Sequence, residues 1–321
     1  MPLVRSRLVP RLVAALALVA LAACGSSKEP AASAGASGAG AGAPHAAQAL
    51  SVVAINAPLA YFVDRIAGGL VTVTMPVPAD VDPAEWTPGT EDIAVLQKAD
   101  LIVLNGAGLE RWRGAVALPE RKVVETADGF RSSWLVQDGG VTHSHGLEGE
   151  HTHAGTAFTT WIDPMKAIEQ ARAIKDALTR LAPERADDLA SNYLALERDL
   201  RDLDGRYEQA ISGNHALPLV FSHPVYEYFI ERFALNARSV HWEPGTVPSD
   251  AELDALAGML AEHPARWMIW EDEPGDAVRA KLRERGLESV VVAPAGNMGT
   301  DWSGWLERQR ENAVELAKVY Q

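Results

Sequence analysis

Four histidines crowd the stretch Thr142-His143-Ser144-His145-Gly146-Leu147-Glu148-Gly149-Glu150-His151-Thr152-His153. Imidazole suits Zn(II), Cu(II) and Ni(II), and tetrahedral zinc accepts His together with Asp or Glu. The two His-x-His pairs do not have zinc-finger spacing. Elsewhere a lone histidine stands in Phe221-Ser222-His223-Pro224-Val225-Tyr226. Acids follow one another in Trp270-Glu271-Asp272-Glu273-Pro274. Glu85 lies in a Pro-bounded loop, residues 81–88, and His241 precedes Trp242. Each of these has a plainer explanation. His223 could cap a following helix, Glu271, Asp272 and Glu273 could form a solvated acidic turn, and Glu85 could be a surface acid. His241 could be packed beside tryptophan, and the histidine-rich stretch could be an ordinary polar segment. His215 and His263 have no partner pattern. The chain's one cysteine, Cys24, excludes both a Cys-cluster zinc site and an intramolecular disulfide framework. There is no H-E-x-x-H and no G-x-S-x-G, which argues for binding rather than hydrolysis.

The composition is globular, and the length is enough for two domains of ordinary size. The chain has 321 residues with 43 acidic against 29 basic, a formal charge of -14. A nucleic-acid binder working through a basic face is therefore excluded. Residues 1–23 carry Arg5, Arg7 and Arg11 ahead of a short apolar run, the layout of a secretory signal. That run is shorter than the ~20 apolar residues of a transmembrane helix. It ends in Leu21-Ala22-Ala23-Cys24-Gly25, which resembles the bacterial lipobox and implies lipidation of Cys24 after cleavage. Residues 25–49 are mostly Gly, Ala and Ser and read as a flexible tether of roughly 25–30 Å. The expected location is outside the cytoplasmic membrane, facing the periplasm or the cell exterior.

The elements that must position these residues alternate strand and helix. Strands are expected at 50–55, 71–77, 101–104 and 123–125, with helices at 59–67 and 91–98. Pro164 suits the first turn of a helix, and Pro183 starts another that continues to residue 211. Along it Leu189, Tyr193, Leu196, Leu200 and Leu203 make one apolar stripe. At 1.5 Å per residue such a helix runs roughly 42 Å, about a domain diameter. Beyond it, strands at 217–221, 240–242, 267–270 and 289–293 alternate with helices at 224–233, 250–261 and 275–285. A helix over 302–320 closes the chain. The fold class expected is α/β: two small lobes with parallel sheets, joined by a long rigid backbone helix, with a ligand cleft between them. The expected divisions are 50–163, 164–213 and 214–321. Ligands of open α/β sheets sit at the carboxyl ends of the strands, where the chemistry-bearing stretches fall.

In their order and spacing these stretches resemble the zinc/manganese family of solute-binding lipoproteins that serve bacterial ABC importers. The resemblance runs from about residue 50 to 321. It rests on Leu96-Gln97-Lys98-Ala99-Asp100-Leu101-Ile102-Val103-Leu104-Asn105-Gly106-Ala107-Gly108-Leu109-Glu110-Arg111-Trp112, on Trp161-Ile162-Asp163-Pro164, and on Ser222-His223-Pro224-Val225-Tyr226. It implies a metal held by three histidines, or two and a carboxylate, with a final acid. In this sequence the first histidine position is Ala84, followed by Glu85, and the second is Thr159. The third is His223, and the fourth maps to Glu271, or to Asp272 or Glu273 if the alignment slips. Half of the usual set is thus replaced. Glu85 could stand in for the first ligand and His153 or His151 for the second. His143, His145 and His241 are further candidates. The site expected is a mixed one of Glu85, His153, His223 and Glu271. Its cargo would be a divalent cation, zinc before manganese, copper, nickel or a metal complex. Binding through imidazole should weaken as histidine protonates, ~pH 6. The resemblance further implies a monomer anchored by lipid that delivers to an ABC permease. The alternative is an adhesin-like lipoprotein whose metal site has decayed.

Overall fold

The computed structural model describes residues 49–137, 142–144, 150–152, 155–242 and 246–321. The signal and tether, with Cys24, lie outside the described residues. Among the described residues no helix is long and apolar enough to cross a membrane.

The first half is built from strands β1 (Leu50–Ala54), β2 (Val71–Thr74), β3 (Leu101–Leu104) and β4 (Val123–Glu125), with helices α1 (Ala57–Ala67) and α2 (Thr90–Lys98). The strands run parallel in the order β2-β1-β3-β4. Asn56 starts α1 by accepting the Leu59 N–H at 3.1 Å, and Gly68 ends it in a left-handed conformation at φ +56°. A Cβ on Gly68 would meet Asn192 Nδ2 at 2.8 Å, so helix end and neighbouring helix need glycine here. Strand β2 stops short of residue 77 because Pro76 and Pro78 have no N–H to give a ladder.

Short antiparallel ladders follow. They pair β5 (Val136–Gln137) with β8 (Gly155–Thr156), and β6 (Thr142–Ser144) with β7 (Glu150–Thr152). Helix α3 (Pro164–Leu181) is capped by Asp163, whose side chain accepts the Met165 N–H at 2.8 Å. A short 3-10 turn at Pro183–Arg185 leads into α4 (Ala186–Ile211). That helix has 26 residues and spans about 39 Å. Its Leu189, Leu196, Leu200, Leu203 and Tyr207 are all buried.

The second half holds β9 (Leu219–Phe221), α5 (Glu227–Arg232), β10 (Ala237–Ser239), α6 (Asp250–Glu262) and β11 (Trp267–Trp270). It then continues through α7 (Asp276–Arg283), β12 (Glu288–Val291) and α8 (Trp305–Ala317). The sheet order is β10-β9-β11-β12, again parallel throughout. Each half thus places its second strand outside its first, then its third and fourth. Two expectations shift. The strand expected at 240–242 forms at Ala237–Ser239, because pairing with β9 outweighs the low strand propensity of Ala-Arg-Ser. The helix expected from Pro224 starts at Glu227, after a tight turn in which Val225 N–H reaches His223 O at 2.9 Å.

The period-2 alternation of strands sorts the core into layers. Val52 and Val103 of the first sheet, Leu196, Leu200 and Leu203 of α4, and Phe221, Ile269 and Val290 of the second share one apolar cluster. The intervening residues face outward layers. Val53, Ile102 and Leu104 pack with Trp86, Leu96 and Trp112. Val220, Met268 and Trp270 pack with Trp242, Leu253 and Leu282. Helix α4 therefore contributes to a core common to both sheets. The loops at the strands' carboxyl ends meet each other. Ala57 N–H donates to Gly296 O at 2.8 Å, and Trp161 Nε1 donates to Pro294 O at 2.9 Å.

Candidate metal centre

The carboxyl edge of the second sheet carries the residues with ligand chemistry. Strand β9 runs out into Ser222 and His223, and β11 into Glu271. His223 Nδ1 lies 3.8 Å from Glu271 Oε1, with the two side chains 13% and 23% exposed. On the other side of His223 the ring of His241 stands perpendicular, at 6.1 Å between centroids. Beneath them Tyr226 is buried and donates to Val292 O at 2.8 Å. Burial first, and then the nearby Glu271 carboxylate, push its phenol well above the ordinary range. Trp242 is buried and its ring lies 6.3 Å from that of Trp270.

The facing edge of the first sheet is polar but poor in ligands. In the loop after β2, Ala84 is buried and its N–H donates to Asp82 Oδ1 at 2.8 Å. Burial pushes the Asp82 carboxyl up. Glu85 accepts from Arg111 Nη1 at 3.0 Å, with its side chain 47% exposed. Thr159 is buried, and its hydroxyl donates to Val225 O at 2.5 Å, within the His223 loop. The position where the resemblance calls for a histidine thus joins the two halves by a hydrogen bond.

Behind Thr159 lies a polar knot that the sequence did not disclose. Asn105, fully buried at the end of β3, donates to Phe158 O at 2.8 Å and Gly106 O at 3.0 Å. Its Oδ1 accepts from Thr160 at 3.1 Å and Gln170 at 2.8 Å. Glu110 accepts the N–H groups of Asn105 at 2.6 Å and Gly106 at 3.0 Å. Burial pushes the Glu110 carboxyl up to about 7, against the pull of those two N–H groups. Burial likewise lifts Asp163 to about 6, although its backbone donors and Arg232 oppose the rise. This network fixes the segment carrying Phe158, Thr159 and Thr160. Glu110 gave no signal of it in the sequence, since it stands directly before Arg111 and reads as one of a mixed charged pair.

The remaining candidates divide clearly. Asp272 accepts from the Glu273 N–H at 2.7 Å. Glu273 is clamped by Arg279 at 2.7 and 2.8 Å, and that guanidinium lowers its pKa. His143 and His151 are opposite each other in the β6–β7 ladder. His145 and His153 lie outside the described residues. His215 and His263 bind the carbonyls of Phe233 and Leu219, at 2.7 and 2.9 Å. Among the described residues no three of His, Cys, Asp and Glu already enclose one ion-sized position. Of the expected set Glu85, His153, His223 and Glu271, the structure brings His223 and Glu271 together.

Two parallel sheets of like order, with imidazole and carboxylate at one carboxyl edge, define a two-lobed α/β protein of the solute-binding kind. Residues 52–319 match the family model described as zinc-uptake complex component A, periplasmic, and the chain belongs to that family. It is 26% identical over 260 residues to the zinc-binding protein AdcA of Streptococcus pyogenes, covering 76% of this chain and 50% of the relative. It is 25% identical over 255 residues to the high-affinity zinc uptake system protein ZnuA of Bacillus subtilis, covering 76% and 77%. The chain spans about half the length of the AdcA proteins it matches. The fold is similar to Zn(II)-bound AdcA of Streptococcus pneumoniae, at TM-score 0.71 and 20% identity over 84% of this chain and 57% of that one. It is also similar to FpvC of Pseudomonas aeruginosa in complex with Mn2+, at TM-score 0.69 and 21% identity, covering 85% and 98%.

Proposed function

We propose that this protein captures a divalent cation, zinc before manganese, at the carboxyl edges of its two sheets and delivers it to the permease of an ABC importer. The observation that carries this is the His223–Glu271 pair, 3.8 Å apart, in a chain that belongs to a zinc-uptake family. Two donors on one tetrahedral zinc lie about 3.3 Å apart. The pair therefore needs only a small side-chain adjustment to share an ion. Imidazole in the set favours zinc over manganese, which prefers carboxylate, carbonyl and water. The relatives named for zinc support the same order. Segments 50–163 and 214–321 act as the two lobes, with 164–213 between them. The chain works as a monomer outside the cytoplasmic membrane, anchored through Cys24. Its task is binding and release, not catalysis.

Elemental analysis of full-length protein purified without chelator, followed by competitive zinc titration, tests the proposal. One zinc per chain, lost in His223→Ala, is the expected result. A chain that stays empty after challenge with zinc and manganese would instead be a lipoprotein with a decayed site.

A further inference from the structure

Three adjacent strands of the second sheet end in step on residues with ligand chemistry. Phe221 of β9 is in register with Ser239 of β10 on one side and with Ile269 of β11 on the other. Two residues further along each strand stand His223, His241 and Glu271. Backbone bonds tie the strand ends together. Val240 N–H donates to Phe221 O at 2.8 Å and Trp242 N–H to Ser222 O at 2.7 Å, while Ser222 N–H donates to Ile269 O at 2.9 Å. These bonds hold the three backbones at strand spacing, about 4.8 Å apart, as far as Phe221, Ser239 and Ile269, and the Trp242 bond, one residue out of step, keeps the exit of β10 beside that of β9. The side chains agree with the backbone. Glu271 Oε1 is 3.8 Å from His223 Nδ1, and the His241 ring is 6.1 Å from that of His223. Two imidazoles on one tetrahedral zinc have ring centroids roughly 5 Å apart. The two rings would close by about 1 Å, and the carboxylate would turn toward them, for the three groups to share an ion that they do not already enclose.

We infer that His241, His223 and Glu271 form a metal site carried by the second sheet alone, with His241 supplying the imidazole that Ala84 and Thr159 no longer provide. The inference rests on the metal-capture reading above. Three considerations carry it further. His241 is not on a loose loop, because Trp242 is buried in the outer core layer against Trp270. His215 and His263 bind the backbone carbonyls of Phe233 and Leu219, while the His223 and His241 rings meet each other. Thr159, where the resemblance implies a histidine, binds Val225 O instead. Three protein ligands leave the fourth position of a tetrahedral ion open to water or to an acceptor's ligand. A cargo held this way can be passed on without first separating the two halves.

The test is zinc titration of the full chain against a competing chelator, comparing His241→Gln, His223→Gln and a control, His215→Gln. X-ray absorption at the zinc edge counts imidazoles in parallel. The expected result is that His241→Gln weakens zinc as much as His223→Gln does. That loss should exceed the about 10–100-fold typical of losing an outer-shell partner. The imidazole count should fall by one in both, and the control should match the unaltered chain. Unchanged affinity in His241→Gln beside a weakened His223→Gln overturns the three-strand site and leaves metal capture standing. An unaltered chain that binds no zinc overturns metal capture and the site with it. If His241→Gln does not fold, anomalous scattering from a zinc-loaded crystal of the unaltered chain decides. A peak between the three side chains supports the site, and a peak elsewhere overturns it.

Discussion

The two sheets have the same strand order and the same division into inner and outer layers, yet their carboxyl edges differ in kind. The second edge presents His223, His241 and Glu271, groups that can donate to a cation. The first presents Asn105, Thr126, Thr160 and Gln170, a neutral network beside the buried Glu110. Topology alone therefore does not assign a role to an edge. On the proposed reading one half holds a ligand, and the other holds the segment of residues 158–160 against it.

The comparison fails most visibly if the shared core is not shared. Leu200 of α4 is fully buried in the cluster that both sheets line. Leu200→Ala should cost about 2–5 kcal/mol. Both halves should lose it together, as one transition followed by far-UV circular dichroism and by tryptophan fluorescence. Two separated transitions would show that each sheet has its own core.

The next effect is set by pH and belongs to the first edge. Glu110 is raised to about 7 in the folded chain from an ordinary value of 4.5. The folded state thus binds more protons than the unfolded state between those values, so stability falls as pH rises through the window. The loss attributable to Glu110 reaches about 3 kcal/mol by neutral pH. Asp163, raised to about 6, adds a loss of the same sign at lower pH. Glu110→Gln should remove the larger part of the slope in urea melts between pH 4.5 and 7. An unaltered slope would move the origin of the effect away from this edge. At the second edge the comparable test is affinity. Glu271→Ala should weaken zinc about 100-fold or more, while the urea midpoint of the metal-free chain stays near its original value.

Much of this was legible in the residues. Strands β3, β4 and β11 fall where their apolar runs place them, and the leucine stripe of α4 faces the core as its spacing requires. Pro164 announced a helix start, and the helix begins there. The site was legible only in part. His223 and Glu271 could be found because each follows an apolar strand. His241 could not be ranked, since its significance comes from the register of β10 against β9, a long-range pairing that local propensity does not encode. The strand preceding it reads Ala-Arg-Ser and gives no signal of its own. The role of Thr159 was hidden for a similar reason, because its partner Val225 is 66 residues away. Glu85 looked available in the sequence, and a partner 26 residues on, Arg111, engages it.

The smallest expected effect concerns how the two edges are held together. Asn297, after β12, donates from Nδ2 to Pro78 O at 2.7 Å and Val81 O at 2.6 Å, and its Oδ1 accepts the Gly299 N–H at 2.8 Å. The loop it grips lies between two prolines and carries Asp82, Ala84 and Glu85. Pro76 and Pro78 cannot donate backbone hydrogen bonds there, so an outside donor to the loop's carbonyls has unusual weight. Asn297→Ala should cost about 1 kcal/mol, since the carbonyls are partly within reach of water. Asn297→Asp should cost more than the alanine, although it is nearly the same shape. It keeps the acceptor for Gly299 but sets a carboxylate oxygen against two carbonyl oxygens. Hydrogen exchange over residues 79–85 should quicken in the same order, Asp above Ala above the unaltered chain. Equal behaviour of the two variants would mean that packing at Gly299 and Ala79, 3.0 Å from a would-be Cβ, holds the loop in place of the amide donor.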